Sequence, residues 1–158
     1  MVLCFTTLQL YLIQHNLHFG LFWFLYPCLL VLVNDTTAYL FGHWLGQHSL
    51  LNLSPKKTLE GYVMAMVCTI LFGYWSCAWL KPLDKSQQSN LQLHGMILSI
   101  YASTTAPFGG FLASAIKRAG GIKDFGQLIP GHGGMTDRVD CQLLMAAFTF
   151  FYCEYMLK

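Results

Sequence analysis

Charge is concentrated in one part of this chain. Seven of its sixteen Asp, Glu, Lys and Arg residues fall within Ser114–Asp140, SAIKRAGGIKDFGQLIPGHGGMTDRVD. Lys117, Arg118 and Lys123 supply cations. Asp137 and Asp140 stand three apart, so on a helix both carboxylates leave one face. Such a pair can hold a divalent cation, and hard oxygen donors beside phosphates suit Mg²⁺. Arg138 is left to bind phosphate or to order the loop. The PGHGG stretch, residues 130–134, reads as a turn whose backbone N–H groups can approach an anion closely, because glycine lacks a Cβ. Within it His132 is either a phosphate donor or a plain turn residue. Together these features suit phosphoryl or nucleotidyl transfer, where catalysis is largely positioning and charge neutralisation.

Two shorter polar sites precede this stretch. Asn34 and Asp35 lie between apolar runs. A carboxylate at membrane depth is costly unless paired or hydrated, which makes Asp35 a functional candidate. The competing reading is an interfacial helix cap, since NDTT suits an N-cap. The second site is SPKK, residues 54–57. Lys56 and Lys57 either neutralise phosphates at the membrane surface or anchor the chain on the positive side of a bilayer.

The elements that must carry these residues are apolar. Of 158 residues, 55% are hydrophobic and 10% charged, and no Asp, Glu, Lys or Arg precedes Asp35. A soluble domain carries about 25% charged residues. A fold of this size cannot bury so much apolar surface, which predicts a membrane protein. The net charge of +2 is too small to argue for nucleic acid. The six cysteines have no metal-type or disulfide-type spacing and read as small buried apolar residues. Apolar runs at 17–33, 36–53, 62–80, 95–116 and 143–157 predict an all-α, polytopic membrane helix bundle with about four to five transmembrane helices. Residues 1–158 form a single membrane domain on this reading. With spans at 62–80 and 95–116, the connectors 54–61 and 114–140 fall on the same side, and short Lys-rich connectors face the cytoplasm.

The 114–140 stretch resembles the signature of the phosphatidate cytidylyltransferases, S-x-x-K-R-x4-K-D-x-G-x2-I-P-G-H-G-G-x2-D-R-x-D. Ser114, Lys117, Arg118, Lys123, Asp124, Gly126, Pro130, His132, Gly133, Gly134, Asp137, Arg138 and Asp140 match its fixed positions. NDTTAYLFGHWLG and SPKKTLEG upstream resemble the same family in the same order, and APFGGFLASAIKR with DCQ resembles its eukaryotic branch. The likeness covers most of residues 31–152. One departure is that SPKKTLEG continues as YVMAMV, where the family's pattern is small-residue F-I-G-G.

The resemblance implies a multi-helix membrane enzyme that makes CDP-diacylglycerol and pyrophosphate from CTP and phosphatidic acid with Mg²⁺, with a homodimer among the expectations. It implies catalytic roles for Lys117, Arg118, Lys123, Asp124, His132 and Arg138. Substrate contacts are expected from Asn34, Ser54, Lys56, Lys57, Ser114, Gly133 and Gly134, and metal ligation from Asp35, Asp124, Asp137 and Asp140. Family members are longer, so this chain is expected to be a catalytic C-terminal portion, incomplete at its N-terminus. The expected setting is the lipid bilayer of the endoplasmic reticulum or a related endomembrane, with the site facing the cytoplasm. The alternatives are a truncated, non-catalytic membrane protein that pairs with a full-length partner, and an ion transporter that uses Asp35.

Overall fold

The computed structural model describes residues 2–46, 48, 58–83, 90–121 and 136–156. Their regular elements are six α-helices, α1 Val2–Phe19, α2 Leu21–Leu45, α3 Leu59–Leu80, α4 Leu91–Thr104, α5 Pro107–Ala119 and α6 Thr136–Met156, with a 3-10 turn at Lys81–Leu83. The protein is an all-α helix bundle. Three stretches, Leu21–Leu45, Leu59–Leu83 and Leu91–Ile116, are long and apolar enough to cross a membrane. At 1.5 Å per residue, α2 and α3 each exceed the roughly 30 Å hydrocarbon core, whereas the apolar run at 95–116 is broken at Thr105–Ala106 between α4 and α5.

Helix α2 is the centre of the bundle. It packs on α1, α3, α4 and α6, and the buried cluster includes its Phe22, Trp23, Tyr26, Leu30 and Val31. Phe22, Tyr26, Leu30 and Asn34 recur every fourth residue along its buried face, the spacing that keeps side chains on one stripe. The helix begins after Gly20, whose φ of 142° favours glycine and separates α1 from α2. The apolar run at 17–33 is therefore split at Gly20.

Helix α3 meets α2 through small residues. Its buried positions are Gly61, Ala65, Thr69, Gly73 and Cys77, again every fourth residue. A Cβ on Gly61 would stand 2.7 Å from both the Ala38 carbonyl oxygen and the Gly42 Cα, so the backbones touch directly there. Helices in lipid associate through such close packing, because burial of apolar surface gives them little drive. The chain departs from the family's F-I-G-G pattern, yet this stripe packs. Farther along, the Tyr26 hydroxyl lies 2.9 Å from the Gly73 carbonyl oxygen and 3.1 Å from that of Gly95, tying α2 to α3 and α4.

Side-chain contacts fix the helix directions. Tyr62 near the start of α3 donates to the Thr104 carbonyl at the end of α4, at 2.9 Å. Cys77 near the end of α3 reaches the Leu91 carbonyl at the start of α4. Tyr101 stacks on Phe148 with ring centroids 3.8 Å apart, while His94 bonds Tyr152. Both α3 and α6 thus run antiparallel to α4. One end of the bundle gathers the start of α3, the end of α4 and the start of α6. Exposed Tyr39 and Trp44 lie toward that end, and exposed Trp75, Trp79 and Tyr155 toward the other. Aromatic residues at both levels match the belts of a membrane-embedded bundle.

Candidate functional site

Asn34 is buried within α2, and its carboxamide oxygen accepts a hydrogen bond from the Thr69 hydroxyl of α3 at 3.3 Å. Asp35 follows on the exposed side of the same unbroken helix. The next two hydroxyls turn inward on the helix, Thr36 donating to the Leu32 carbonyl and Thr37 to that of Val33. The interfacial N-cap reading of NDTT is overturned, because no helix starts there. The sequence suggests a boundary since Asn and Asp favour caps. The fold overrides this by giving Asn34 an interhelical partner, so the polar group need not leave the helix.

The start of α3 is built from the residues after SPKK. Thr58 caps the helix, its hydroxyl accepting from the Gly61 N–H at 3.3 Å. Glu60 sits in the first turn, where a carboxylate favours the positive end of the helix dipole. Its Oε1 lies 2.7 Å from His48 Nδ1, and its Oε2 accepts the His48 backbone N–H at 3.3 Å. In the sequence the lysines dominate SPKKTLEG, and neither Thr58 nor Glu60 stands out beside them. A Thr followed two residues later by a first-turn Glu was the available signal. Ser54, Lys56 and Lys57 lie outside the described residues.

The described parts of the long polar stretch, residues 114–121 and 136–140, fall on α5 with the turn that ends it and on the start of α6. Pro107 enters α5 at its first position, which tolerates the missing N–H. The half-buried Ser114 hydroxyl donates to the Gly110 carbonyl at 2.7 Å, one turn back. Lys117 and Arg118 belong to the last turn of α5, where cations offset the helix dipole, and Arg118 is exposed. The helix closes on Gly120, whose N–H reaches the Ile116 carbonyl, and Gly121, whose φ of 67° is left-handed.

Asp137, Arg138 and Asp140 occupy the first two turns of α6. The helix required for the paired-carboxylate reading therefore forms, with residues 137 and 140 on one face. Lys123, Asp124, His132, Gly133 and Gly134 lie outside the described residues. Among the described residues no cluster of three or more His, Cys, Asp or Glu side chains gathers.

What comes together is the framework. The antiparallel α3, α4 and α6 bring the end of the SPKK connector at Thr58, the α4–α5 junction and the start of α6 to one end of the bundle. Helix α5 packs on α6. That end presents the N-termini of α3 and α6, where backbone N–H groups and the helix dipole favour negative charge.

Comparison with known proteins gives the same direction. A family model described as "Cytidylyltransferase family" matches residues 1–156. Phosphatidate cytidylyltransferase 1 of Arabidopsis thaliana is 41% identical over 88% of this chain and 42% of its own length. Phosphatidate cytidylyltransferase of Saccharomyces cerevisiae is 40% identical over 100% of this chain and 44% of its own. Phosphatidate cytidylyltransferase 1 of Homo sapiens is 38% identical over 99% and 43%. The chain spans less than half the length of these curated relatives. The yeast alignment runs over 201 positions and takes in all 158 residues, so at least 43 positions of that relative have no counterpart here.

Proposed function

The chain belongs to the cytidylyltransferase family, and from that premise we propose that it carries the machinery for nucleotidyl transfer from CTP to phosphatidic acid. A phosphate oxygen of phosphatidic acid attacks the α-phosphorus of CTP. The bond from that phosphorus to the β-phosphate oxygen breaks, and CDP-diacylglycerol and pyrophosphate result. The nucleophile is already anionic near neutral pH, so no strong base is needed. The task is to bring two polyanions together, which calls for cations and for donors aimed at the developing charge. Lys117, Arg118, Lys123 and Arg138 bind and orient the transferring phosphates, with Asp124 and His132 beside them. Lys56, Lys57, Ser54, Ser114 and the amides of Gly133 and Gly134 contact substrate, and Asn34 holds the turn of α2 that carries Asp35.

Asp137 and Asp140 suit Mg²⁺ as hard oxygen donors on one helical face, with Asp35 and Asp124 completing the set. Bound there, the ion would offset charge on the CTP phosphates. CTP is soluble and phosphatidic acid lies in the bilayer, so a site at the membrane–water boundary meets both. The Lys-containing connectors support a cytoplasmic orientation, in the endoplasmic reticulum or a related endomembrane. A homodimer and a single membrane domain over residues 1–158 belong to the same reading.

The observation that carries the proposal is the shared bundle end of Thr58, the α4–α5 junction and the start of α6, in a chain matched by the family model along nearly its whole length. Its test is conversion of labelled phosphatidic acid by this chain in liposomes. Product that requires both CTP and Mg²⁺ is expected. A folded, inserted chain that turns over only with a longer family member present would favour the non-catalytic alternative. Cation flux with no CTP requirement would favour the transporter.

A further inference from the structure

Helices α1, α2 and α6 pack on one another around a cavity of about 240 Å³. It lies beside the first two turns of α2, a helix long and apolar enough to cross the bilayer. Ile13, Phe24 and Pro27 give it apolar walls, and among the described residues no charged side chain lines it. Ile13, Phe24 and Ala146 are half-buried, so the cavity reaches the surface of the bundle. An apolar cavity of about 150 Å³ already stays dry and takes an apolar guest.

Two polar side chains share these walls. Asn16 of α1 is buried, and its Nδ2 donates to the Ala146 carbonyl of α6 at 3.0 Å. That bond fixes which way the carboxamide turns. Its Oδ1 is buried without a hydrogen-bond partner, and so is the indole Nε1 of fully buried Trp23. Gln142, on the same wall, shows the contrast, its amide donating to the Cys28 carbonyl at 3.3 Å. Pro27 adds to the imbalance, since it offers no N–H to the Trp23 carbonyl one turn back. Buried polar atoms without partners are costly, above all where lipid replaces water.

The wall therefore needs a guest that both accepts and donates. A hydroxyl does both, taking the indole N–H of Trp23 and giving its proton to Asn16 Oδ1. An ester or ether only accepts, and an ammonium only donates. A phosphate brings charge that nothing on this wall neutralises. We propose that the cavity binds a neutral lipid alcohol, its hydroxyl at Asn16 and Trp23 and its hydrocarbon against Ile13, Phe24 and Pro27. The site is separate from the Lys-bearing stretch and does not depend on the CTP reading.

Cys28 lines the cavity and is half-buried, so its thiol reports occupancy. With Cys28 as the sole cysteine, the chain in phosphatidylcholine vesicles is treated with a bilayer-permeant maleimide. Dodecanol, its methyl ether or dodecane is present at equal mole fraction. Dodecanol slows Cys28 labelling several-fold, and does so at roughly fivefold lower content than the ether, the scale of one net hydrogen bond. Trp23→Phe removes the donor and Asn16→Leu the acceptor, and each erases that preference. Ala146→Leu narrows the cavity, keeps both polar groups and weakens protection by dodecanol. Equal protection by alcohol, ether and alkane in the parent chain would overturn the hydroxyl site and leave an apolar void. Protection by none of them would mean that water alone meets Asn16 and Trp23, and would overturn it too. A preference that survives both polar variants would place the alcohol elsewhere.

Discussion

Asp137 stands at the first turn of α6, one helical face shared with Asp140. Replacing it by Asn keeps the shape and removes the charge a divalent cation needs. Asp137→Asn is expected to lower turnover on the order of a hundredfold or more, the scale of losing a principal charge-stabilising group. The chain should remain folded and inserted by circular dichroism and membrane flotation, and normal activity at limiting Mg²⁺ would remove Asp137 from the site. Arg118 offers a different contrast. It is exposed in the last turn of α5, where it either serves the helix dipole or grips phosphate. Arg118→Lys keeps the charge and loses the planar, bidentate fork. A KM for CTP raised about tenfold, roughly 1.4 kcal/mol, with topology unchanged, is expected from the binding role. Unchanged kinetics would leave Arg118 a topological anchor. These residues were legible in the sequence because rare polar groups stand out in an apolar chain. His48 was not, because its significance lies in its contact with Glu60, twelve residues away in sequence.

The helices cohere through close approaches more than through large side chains. Gly61→Ala puts a methyl group 2.7 Å from the Ala38 carbonyl oxygen and the Gly42 Cα. Backbone cannot rotate aside as a side chain can, so the α2–α3 crossing must open, at a cost of about 1–3 kcal/mol. A lower midpoint of thermal unfolding in detergent checks this, and an unchanged midpoint would mean the crossing is slack. The apolar runs revealed the helices, but their limits were less visible. The sequence suggested a boundary at Asn34–Asp35, where polar residues interrupt the hydrophobicity. The helix continues because Thr69, on another element, bonds Asn34. The break falls instead at Gly20, whose φ of 142° only glycine adopts readily. Local composition reports polarity, whereas the partner that makes a buried polar group tolerable is set by tertiary packing.

At the scale of the molecule, a shared phosphate site requires the SPKK connector and the α5–α6 segment to open on one side of the bilayer. In a version lacking the six native cysteines, Ser54→Cys and Gly120→Cys should react with an impermeant thiol reagent from the same side of sealed vesicles. Gly120 is the better probe than Gly121, whose φ of 67° would strain any side chain. Labelling from opposite sides would break the shared site. Two apolar spans between the connectors lead to the same-side expectation that this labelling tests. The direct backbone contact at Gly61 that sets the α2–α3 crossing was not legible in the sequence, since glycine alone does not announce what approaches it.

Attack of phosphatidic acid on the α-phosphorus of CTP leaves a direct isotopic signature. The direct measurement supplies CTP labelled at either the α- or the γ-phosphorus to the chain in phosphatidic acid liposomes with Mg²⁺. The expected result is α-label in the lipid fraction, bound to cytidine, and γ-label in released pyrophosphate. Label from the γ-position in lipid would mean phosphoryl transfer, and would contradict the nucleotidyl transfer assigned to this site.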